Sequence, residues 1–587
     1  MRSSSSRYFL RLSTAAILLN TGVFAAPTTK QESAEVDKVF ADLQKPGSPG
    51  CAVAVLRDGK IIDSRGYGLA SVELNAPITP ETVFDIGSTS KQFTAASILL
   101  LEQQGKLSIN DDVRKYIPEL PDYRQSTAHP ITILNLLNHT SGLRDYLSLL
   151  QFSGASIDSV TTEEDALALI IRQKALNFPS GSAWTYSNTG YFLLSVIVKR
   201  VSGMTLREFA SRNIFQPLGM THTNFRDDHT MLIPNRALAY DPGEKAGYKL
   251  DVSYYEQLGD GAVHTSVEDM AKWDENFYSA KVGGKSLVAR MQEPRQLNSG
   301  KKLDYAMGLF IQETRGLHTV RHGGSWGGYR AELLRFPDQH FSVACLCNVA
   351  NARPSKRADL VAEVFLGSLM KPAEGSADVS TNAKGIVLTA PQIQALTGMY
   401  RDPVTKTVAR IAAVNGKLHV EMMGSTFPLR AKSPVELAPV DLPGVAGFSF
   451  EAPNAARYQR MRISGEEPAT YERVTPAVPS AEDLSAYAGD FESEELGVVY
   501  QLRVVASKLQ VVRLSDSSGM PRTGLALPME LAPTIADEFE VSSQGIVLNF
   551  VRNGENGVTG FGLSQDRMQG ITFSRSSTLA QSTHSQH

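Results

Sequence analysis

The stretch Phe84-Asp85-Ile86-Gly87-Ser88-Thr89-Ser90-Lys91, running on into Gln92-Phe93-Thr94-Ala95-Ala96-Ser97-Ile98-Leu99-Leu100-Leu101, decides how the rest of the chain is read. Its second half predicts a helix, because apolar residues recur at helical spacing and no Pro or Gly interrupts them before Gly105. Ser88 then sits at or near the helix start, with Lys91 three positions on and on the same face. A serine hydroxyl becomes a nucleophile when a neighbouring base removes its proton. Backbone N–H groups and the positive end of the helix dipole stabilise negative charge that develops there. Lys91 serves as that base only when neutral, which requires burial or a cationic neighbour. The pattern alone is weak. Ser299-Gly300-Lys301-Lys302 repeats it in a polar setting that reads as a loop, and an N-cap serine followed by a surface lysine has the same spacing.

Working outward, residues 31–44 read as an amphipathic helix, and 51–56 and 60–67 as strands about a turn at Asp58-Gly59. Residues 131–137 are helical and close on Asn138-His139-Thr140-Ser141-Gly142. Pro179-Ser180-Gly181 breaks the chain before Trp184-Thr185-Tyr186-Ser187-Asn188-Thr189-Gly190, and 191–201 is again helical. Ser266 reads as the N-cap of a helix through Trp273. His322-Gly323-Gly324-Ser325-Trp326-Gly327-Gly328 follows a strand at 317–320. Residues 329–336 and 341–348 make a hairpin, and 357–370 a closing helix. Strands at both ends with helices between them predict a mixed α/β domain over 31–372.

A polar stretch rich in Ala, Ser and Gly places a linker at 373–390. Beyond it the helical period gives way to short alternating strands, and these repeat. Ala395-Leu-Thr-Gly398-Met-Tyr400 matches Ala486-Tyr-Ala-Gly489-Asp-Phe491, and Lys417-Leu-His-Val420 matches Lys508-Leu-Gln-Val511. Gly398 and Lys417 are nineteen positions apart, as are Gly489 and Lys508. Thr470-Tyr-Glu-Arg473 and Thr572-Phe-Ser-Arg575 close the two units. Equal spacing predicts two related modules, 391–475 and 481–576, each a small antiparallel β-barrel, with a polar, disordered tail at 577–587.

A net charge of −3 across 587 residues gives no sign of a nucleic-acid partner or of electrostatic membrane attachment. Arg2, Arg7 and Arg11 precede an apolar run from Leu12 to Phe24 that ends in Ala25-Ala26. That is the order of a secretory signal, so residues 1–25 are expected to be removed and the protein exported to the periplasm or beyond. No later segment is apolar enough to insert stably in a membrane. Of the three cysteines, Cys345 and Cys347 share a strand face, and a bridge from one of them to Cys51 is open in an oxidising compartment. No Cys/His cluster has metal-ligand spacing, so neither metal nor cofactor is expected.

Ser88-x-x-Lys91, Tyr186-Ser187-Asn188 and His322-Gly323-Gly324, in this order within one domain, resemble the serine hydrolases of the class C β-lactamase, DD-peptidase and D-aminopeptidase superfamily. Leu136-Leu137-Asn138-His139-Thr140-Ser141-Gly142-Leu143 and Asp269-Met270-Ala271-Lys272-Trp273 extend the resemblance over about 35–370. Two barrels after such a domain resemble the layout of bacterial D-aminopeptidases. The resemblance implies an α/β (α+β) catalytic domain with a central antiparallel sheet, a Ser88 nucleophile that becomes acylated, and general-base work shared by Lys91 and Tyr186. It implies that Asn188 bonds Lys91 and the substrate amide, and that the backbone N–H groups of Ser88 and Ser325 bind the oxyanion. A charged His322 beside Lys91 would favour the Tyr186 phenolate, with Gly323 and Gly324 next to the substrate. His322 stands where class C β-lactamases usually carry lysine, which weakens a β-lactamase reading because histidine is only partly charged near neutrality. His139 and His264 read as structural.

The substrate implied is a small peptide, amide or ester, most directly a short peptide containing D-amino acids, cut as by a D-aminopeptidase or a D-Ala-D-Ala carboxypeptidase. A carboxylesterase or β-lactamase using the same residues is the alternative. A non-catalytic binder of peptidoglycan fragments is another, though a binder has no need of an activated nucleophile. A homodimer is left open. By analogy with related D-aminopeptidases, the polar loop Ser515-Asp516-Ser517-Ser518-Gly519-Met520-Pro521 of the last module is expected to enter the cleft, with Asp516 pairing a substrate α-ammonium.

Overall fold

The computed structural model describes residues 28–576 except 128, 157–158, 244–246, 373–385, 404, 423, 441–444, 455–456 and 466–468. The expected leader and tail, and most of the expected linker, lie outside the described residues.

Six strands form the central antiparallel sheet: β1 (Cys51–Arg57), β2 (Lys60–Tyr67), β3 (Phe310–Thr314), β4 (Leu317–Trp326), β5 (Tyr329–Phe336) and β6 (Phe341–Cys347), in the order β3-β4-β5-β6-β1-β2. Pairing of β1 with β6 joins the two ends of the domain and sets Cys51 opposite Cys347. These two form the disulfide, while Cys345 stays a free, buried thiol.

The strand β1 shows no apolar/polar alternation because both its faces are covered. Ala52, Ala54 and Leu56 belong to the large core that holds Phe93 and Ile98. Val53 and Val55 belong to a smaller cluster with Val36 of α1 (Lys30–Val39) and Val361 of the closing helix, residues Pro354–Leu366. The helix expected over 31–44 ends at Val39 and continues as a single 3-10 turn, Ala41–Leu43. The apolar run after Lys91 is α2 (Lys91–Gln103), buried along nearly its whole length against α4 (Asn188–Ser202), with α3 (Tyr146–Phe152) packed beside α4. A helix enclosed on all sides has no need of a polar face.

Each repeat is a closed eight-stranded barrel with neighbours in chain order. The first is sealed by pairing of Met399 with Val474, the second by Phe491 with Arg575. The first barrel has its own core around Leu396, Val420 and Met461. The interior of the second, including Leu509, Phe561 and Phe573, is continuous with the large core of the catalytic domain.

Candidate active site

Ser88 lies on a 3-10 turn, Gly87–Ser90, and Lys91 is the first residue of α2. The strand expected at 317–320 runs on through His322-Gly323-Gly324, which are part of β4. Close approach, not a bend, explains two of the glycines. A Cβ on Gly324 would fall 1.8 Å from the Ile86 carbonyl oxygen, and one on Gly87, whose φ is +48°, would fall 2.6 Å from the Ser325 nitrogen. Side chains there would push the Ser88 turn off β4.

Lys91 is fully buried. Its Nζ donates to the Asn188 side-chain carbonyl at 2.9 Å and to the Asp260 backbone carbonyl at 2.6 Å, and lies 3.0 Å from Ser88 Oγ. Both carbonyls can only accept, so a neutral amine places its hydrogens there and turns its lone pair to the Ser88 hydroxyl. Burial pushes the lysine pKa down, against the pull of the Asp260 and Asp145 carboxylates, and Arg567 pushes it further the same way. The Tyr186 hydroxyl is also buried, with the Ser88 hydroxyl as its polar neighbour. Burial raises its pKa, with Ser88 and Arg567 pulling the other way. Lys91 is therefore the group whose basic form the site favours, while Tyr186 is held as a phenol.

The expectation of a charged His322 is overturned. Burial first, and Lys91 second, lower its pKa to about 3. Its Nδ1 is 2.6 Å from the Gly323 carbonyl and so carries the hydrogen, while Nε2 accepts from the Tyr305 hydroxyl at 3.1 Å. The neutral ring uses both nitrogens. The permanent cation beside Tyr186 is instead Arg567, whose Cζ lies 5.0 Å from the Tyr186 ring centroid. His139 and His264 are buried and carry depressed pKa values; His139 packs against Tyr186, and its Nδ1 accepts from the Ser187 N–H at 3.2 Å.

These groups face a cleft of about 680 Å³ lined by Ser88, Tyr186, Asn188, His322, Gly323, Gly324 and Ser325 among others. Asp516 is not in its lining. The Asp516 carboxylate caps its own turn, accepting from the Ser518 N–H at 3.0 Å, the Ser518 hydroxyl at 2.6 Å and the Met520 N–H at 3.0 Å. The chain beyond it packs against Gly154 just past α3. The second barrel does reach the cleft, but through Arg567, at the turn between strands Val558–Gln565 and Met568–Arg575.

Three further groups went unrecognised in the sequence. Asp145 caps α3 and accepts from the Asn188 N–H at 2.6 Å, fixing the residue that holds Lys91. The Asp260 carboxylate accepts from the Tyr146 hydroxyl at 3.1 Å, and burial raises its pKa. Tyr305 orients His322. Asp145 stands just after the Leu136–Leu143 motif and has the residue type of an N-cap, the one signal available; nothing in the sequence ties Asp260, Tyr305 or Arg567 to the cleft. The second Ser-x-x-Lys, at 299–302, is exposed and away from the cleft lining. Outside the cleft, Asp228, His229 and Glu256 bring potential ligand atoms within 4.8 Å of one another. His229 Nδ1 already pairs with Glu256 Oε1 at 2.7 Å, an arrangement that needs no metal.

An antiparallel sheet flanked by helices, with a serine presented between them beside a buried lysine, is the architecture of the serine hydrolases of the β-lactamase and DD-peptidase superfamily. The family model described as Beta-lactamase matches residues 36–366, more than half of the chain, and the chain belongs to that family. Penicillin-binding protein 4* of Bacillus subtilis (strain 168) is 28% identical over 394 residues, 63% of this chain and 83% of that protein. A D-aminopeptidase of Gluconobacter oxydans (strain 621H) is 27% identical over 461 residues, 77% of this chain and 80% of that protein. In fold, the octameric penicillin-binding protein homologue from Pyrococcus abyssi matches with a TM-score of 0.53 at 22% identity, covering 75% of this chain and 99% of that one. The protein is a serine hydrolase of this superfamily, close to the D-aminopeptidases.

Proposed function

We propose that the protein hydrolyses short peptides or amides containing D-amino acids through an acyl-enzyme on Ser88. The observation that carries this is the lone-pair geometry of Lys91: two acceptors fix the amine 3.0 Å from Ser88 Oγ, and burial lowers its pKa. Lys91 takes the Ser88 proton as Oγ attacks the substrate carbonyl. The oxyanion is held by the N–H groups of Ser88 and Ser325, which the glycines at 87 and 324 allow to come together. As the C–N bond breaks, the Tyr186 phenol, kept protonated by burial, gives its proton to the leaving amine and regains one from Lys91. Water then attacks the ester carbonyl, its proton passing back through the same pair, and Ser88 is restored.

The D-amino-acid preference is supported by the D-aminopeptidase relative, which aligns with 77% of this chain. Export is supported by the Arg2–Ala25 pattern, and a Cys51–Cys347 disulfide suits an oxidising compartment. Fractionation of producing cells, with the mature N-terminus read at Ala26, checks export.

The catalytic test compares mature protein with Ser88→Ala on D-alanine p-nitroanilide and p-nitrophenyl butyrate. Ser88-dependent cleavage of the anilide is expected. Normal turnover by Ser88→Ala removes the proposal, and Ser88-dependent cleavage of the ester alone turns it toward carboxylesterase chemistry.

A further inference from the structure

We propose that Arg567, carried into the cleft by the second barrel, anchors a carboxylate on the substrate, so that the enzyme prefers an acyl compound with a free carboxylate to the same compound with that carboxylate capped. The proposal rests on the hydrolase reading above and adds the substrate charge, which that reading leaves open.

Three arginines line the cleft, Arg226, Arg330 and Arg567. The first two each spend donors on backbone carbonyls of the protein. Arg226 donates to the Ser253 and His229 carbonyls, and Arg330 to those of Gly327 and Tyr329. The Arg567 guanidinium makes no hydrogen bond to any described residue. Its nearest carboxylate is that of Asp566, an exposed chain neighbour 3.5 Å away. Such a solvent-screened pair holds an arginine weakly.

The base of the side chain, by contrast, is fixed. The Arg567 carbonyl accepts from the Asp145 N–H at 3.1 Å and from Asn177 Nδ2 at 2.9 Å. The Gln569 N–H donates to Asn177 Oδ1 at 2.8 Å, and Arg144 Nε to the Gln569 carbonyl at 2.9 Å. The hairpin tip is thus pinned to Asp145, the residue that also holds Asn188. The guanidinium lies over the Tyr186 ring with its fork of donors unspent, the shape that takes a carboxylate through two parallel hydrogen bonds.

The carboxylates of the cleft tell the same story. Asp85 accepts from the Gly87 N–H at 2.8 Å, and Asp260 is bound by the Tyr146 hydroxyl while facing Lys91. Both are already engaged within the protein, and Asp516 is spent on its own turn. A cationic substrate end entering beside Tyr186 meets a second cation, whereas an anionic end meets a guanidinium held only by its exposed neighbour Asp566.

The test uses full-length mature protein, wild type, Arg567→Gln and Arg567→Lys. The substrates are N-acetyl-D-alanyl-D-alanine, its C-terminal amide, and the neutral ester p-nitrophenyl butyrate. For the wild type, kcat/KM on the free acid should exceed that on the amide by about ten-fold or more, the value of a charge-assisted hydrogen bond. Arg567→Gln should abolish that preference through KM for the free acid, and Arg567→Lys should retain part of it. An equal loss on all three substrates marks a structural role and overturns the proposal, as does an unchanged free-acid KM. If the ester is cleaved but the free acid is neither cleaved nor a competitive inhibitor, the anchor is also wrong. If nothing is turned over, it is the hydrolase reading that fails; calorimetric binding of the free acid to wild type, lost in Arg567→Gln, then still decides the anchor.

Discussion

In the first barrel, Arg473 folds back from the last strand to donate to the Ala395 and Thr397 carbonyls at 2.8 Å each, its guanidinium over the Tyr400 ring. In the second, Arg575 donates to the Ala486 and Ala488 carbonyls at 2.8 and 2.7 Å and lies over Phe491. The closing device is the same, and so is the strand plan. What differs is where each barrel is attached. The first keeps a core of its own and reaches the second through Arg401–Glu538 and Arg410–Glu540 ion pairs. The second shares its core with the catalytic domain and donates Tyr500 OH to the Phe152 carbonyl at 2.9 Å. It also buries Glu495 against Arg144. Where its last hairpin turns on Asp566-Arg567, the first barrel has Glu466-Glu467-Pro468, which lies outside the described residues. The same barrel plan occurs twice, and a few docking residues with one hairpin tip bring a single copy to the cleft.

The comparison is most easily broken at Glu495. Its carboxylate also accepts from the Lys174 and Thr572 N–H groups at 2.9 and 3.2 Å, so Glu495→Ala leaves the buried Arg144 guanidinium without its counter-charge. Removing one partner of a buried pair costs about 3–5 kcal/mol. Because Arg144 also holds the hairpin at Gln569 and Gly570, turnover should fall with stability. The adjacent Glu494 pairs with Lys174 at the exposed surface, and Glu494→Ala should leave the melting temperature where it was. Thermal denaturation and ester turnover of the two neighbours, side by side, check both statements.

A subtler division concerns the barrel interiors. Leu418 and Leu509 are equivalent in the repeat and both buried. Replacing either by Ala costs about 2–5 kcal/mol through lost burial and the cavity left behind. Leu509→Ala should weaken the transition that catalytic domain and second barrel share, and reduce turnover on heating in step with it. Leu418→Ala should weaken the first barrel and spare ester turnover. Equal effects of the two on activity would mean that the first barrel is as much a part of the site as the second.

The parts of this organisation that were legible in sequence are those that obey local rules. The repeat showed itself because Gly398 and Gly489 each open a strand where a Cβ would strike the guanidinium of the closing arginine, and each lies nineteen positions before the matching lysine, Lys417 or Lys508. Ser88, Lys91, Tyr186, Asn188 and His322 were legible as motifs, and the structure brings them to one cleft. The charge on His322 was not, because it depends on Tyr305 and on burial, neither of which a His-Gly-Gly motif records. The Asp516 loop was polar and glycine-containing, which an exposed hairpin satisfies as well as a catalytic one. Asp516 fulfils its own turn, while the arginine that enters the cleft sits in an ordinary two-residue turn. That difference is set by the angle at which the second barrel docks, through pairs such as Arg144 with Glu495 that lie more than three hundred positions apart.

The finest distinction between the barrels is electrostatic. Lys91 must lose its proton before it can accept one from Ser88, so the acid limb of kcat/KM on a neutral ester follows the lysine and should lie well below its ordinary 10.5. Burial is the main cause, and Arg567 adds a smaller push in the same direction. Taking that charge away removes a downward push, so Arg567→Gln should move the acid limb to higher pH. Arg567→Lys keeps the charge and should leave it nearer the wild-type position, and Leu418→Ala should not move it at all. The shift will be small, since the burial that dominates is unaltered. A limb that stays fixed in Arg567→Gln would mean that the second barrel meets the substrate without tuning the base, and a limb that moves to lower pH would mean that a group other than Lys91 sets it.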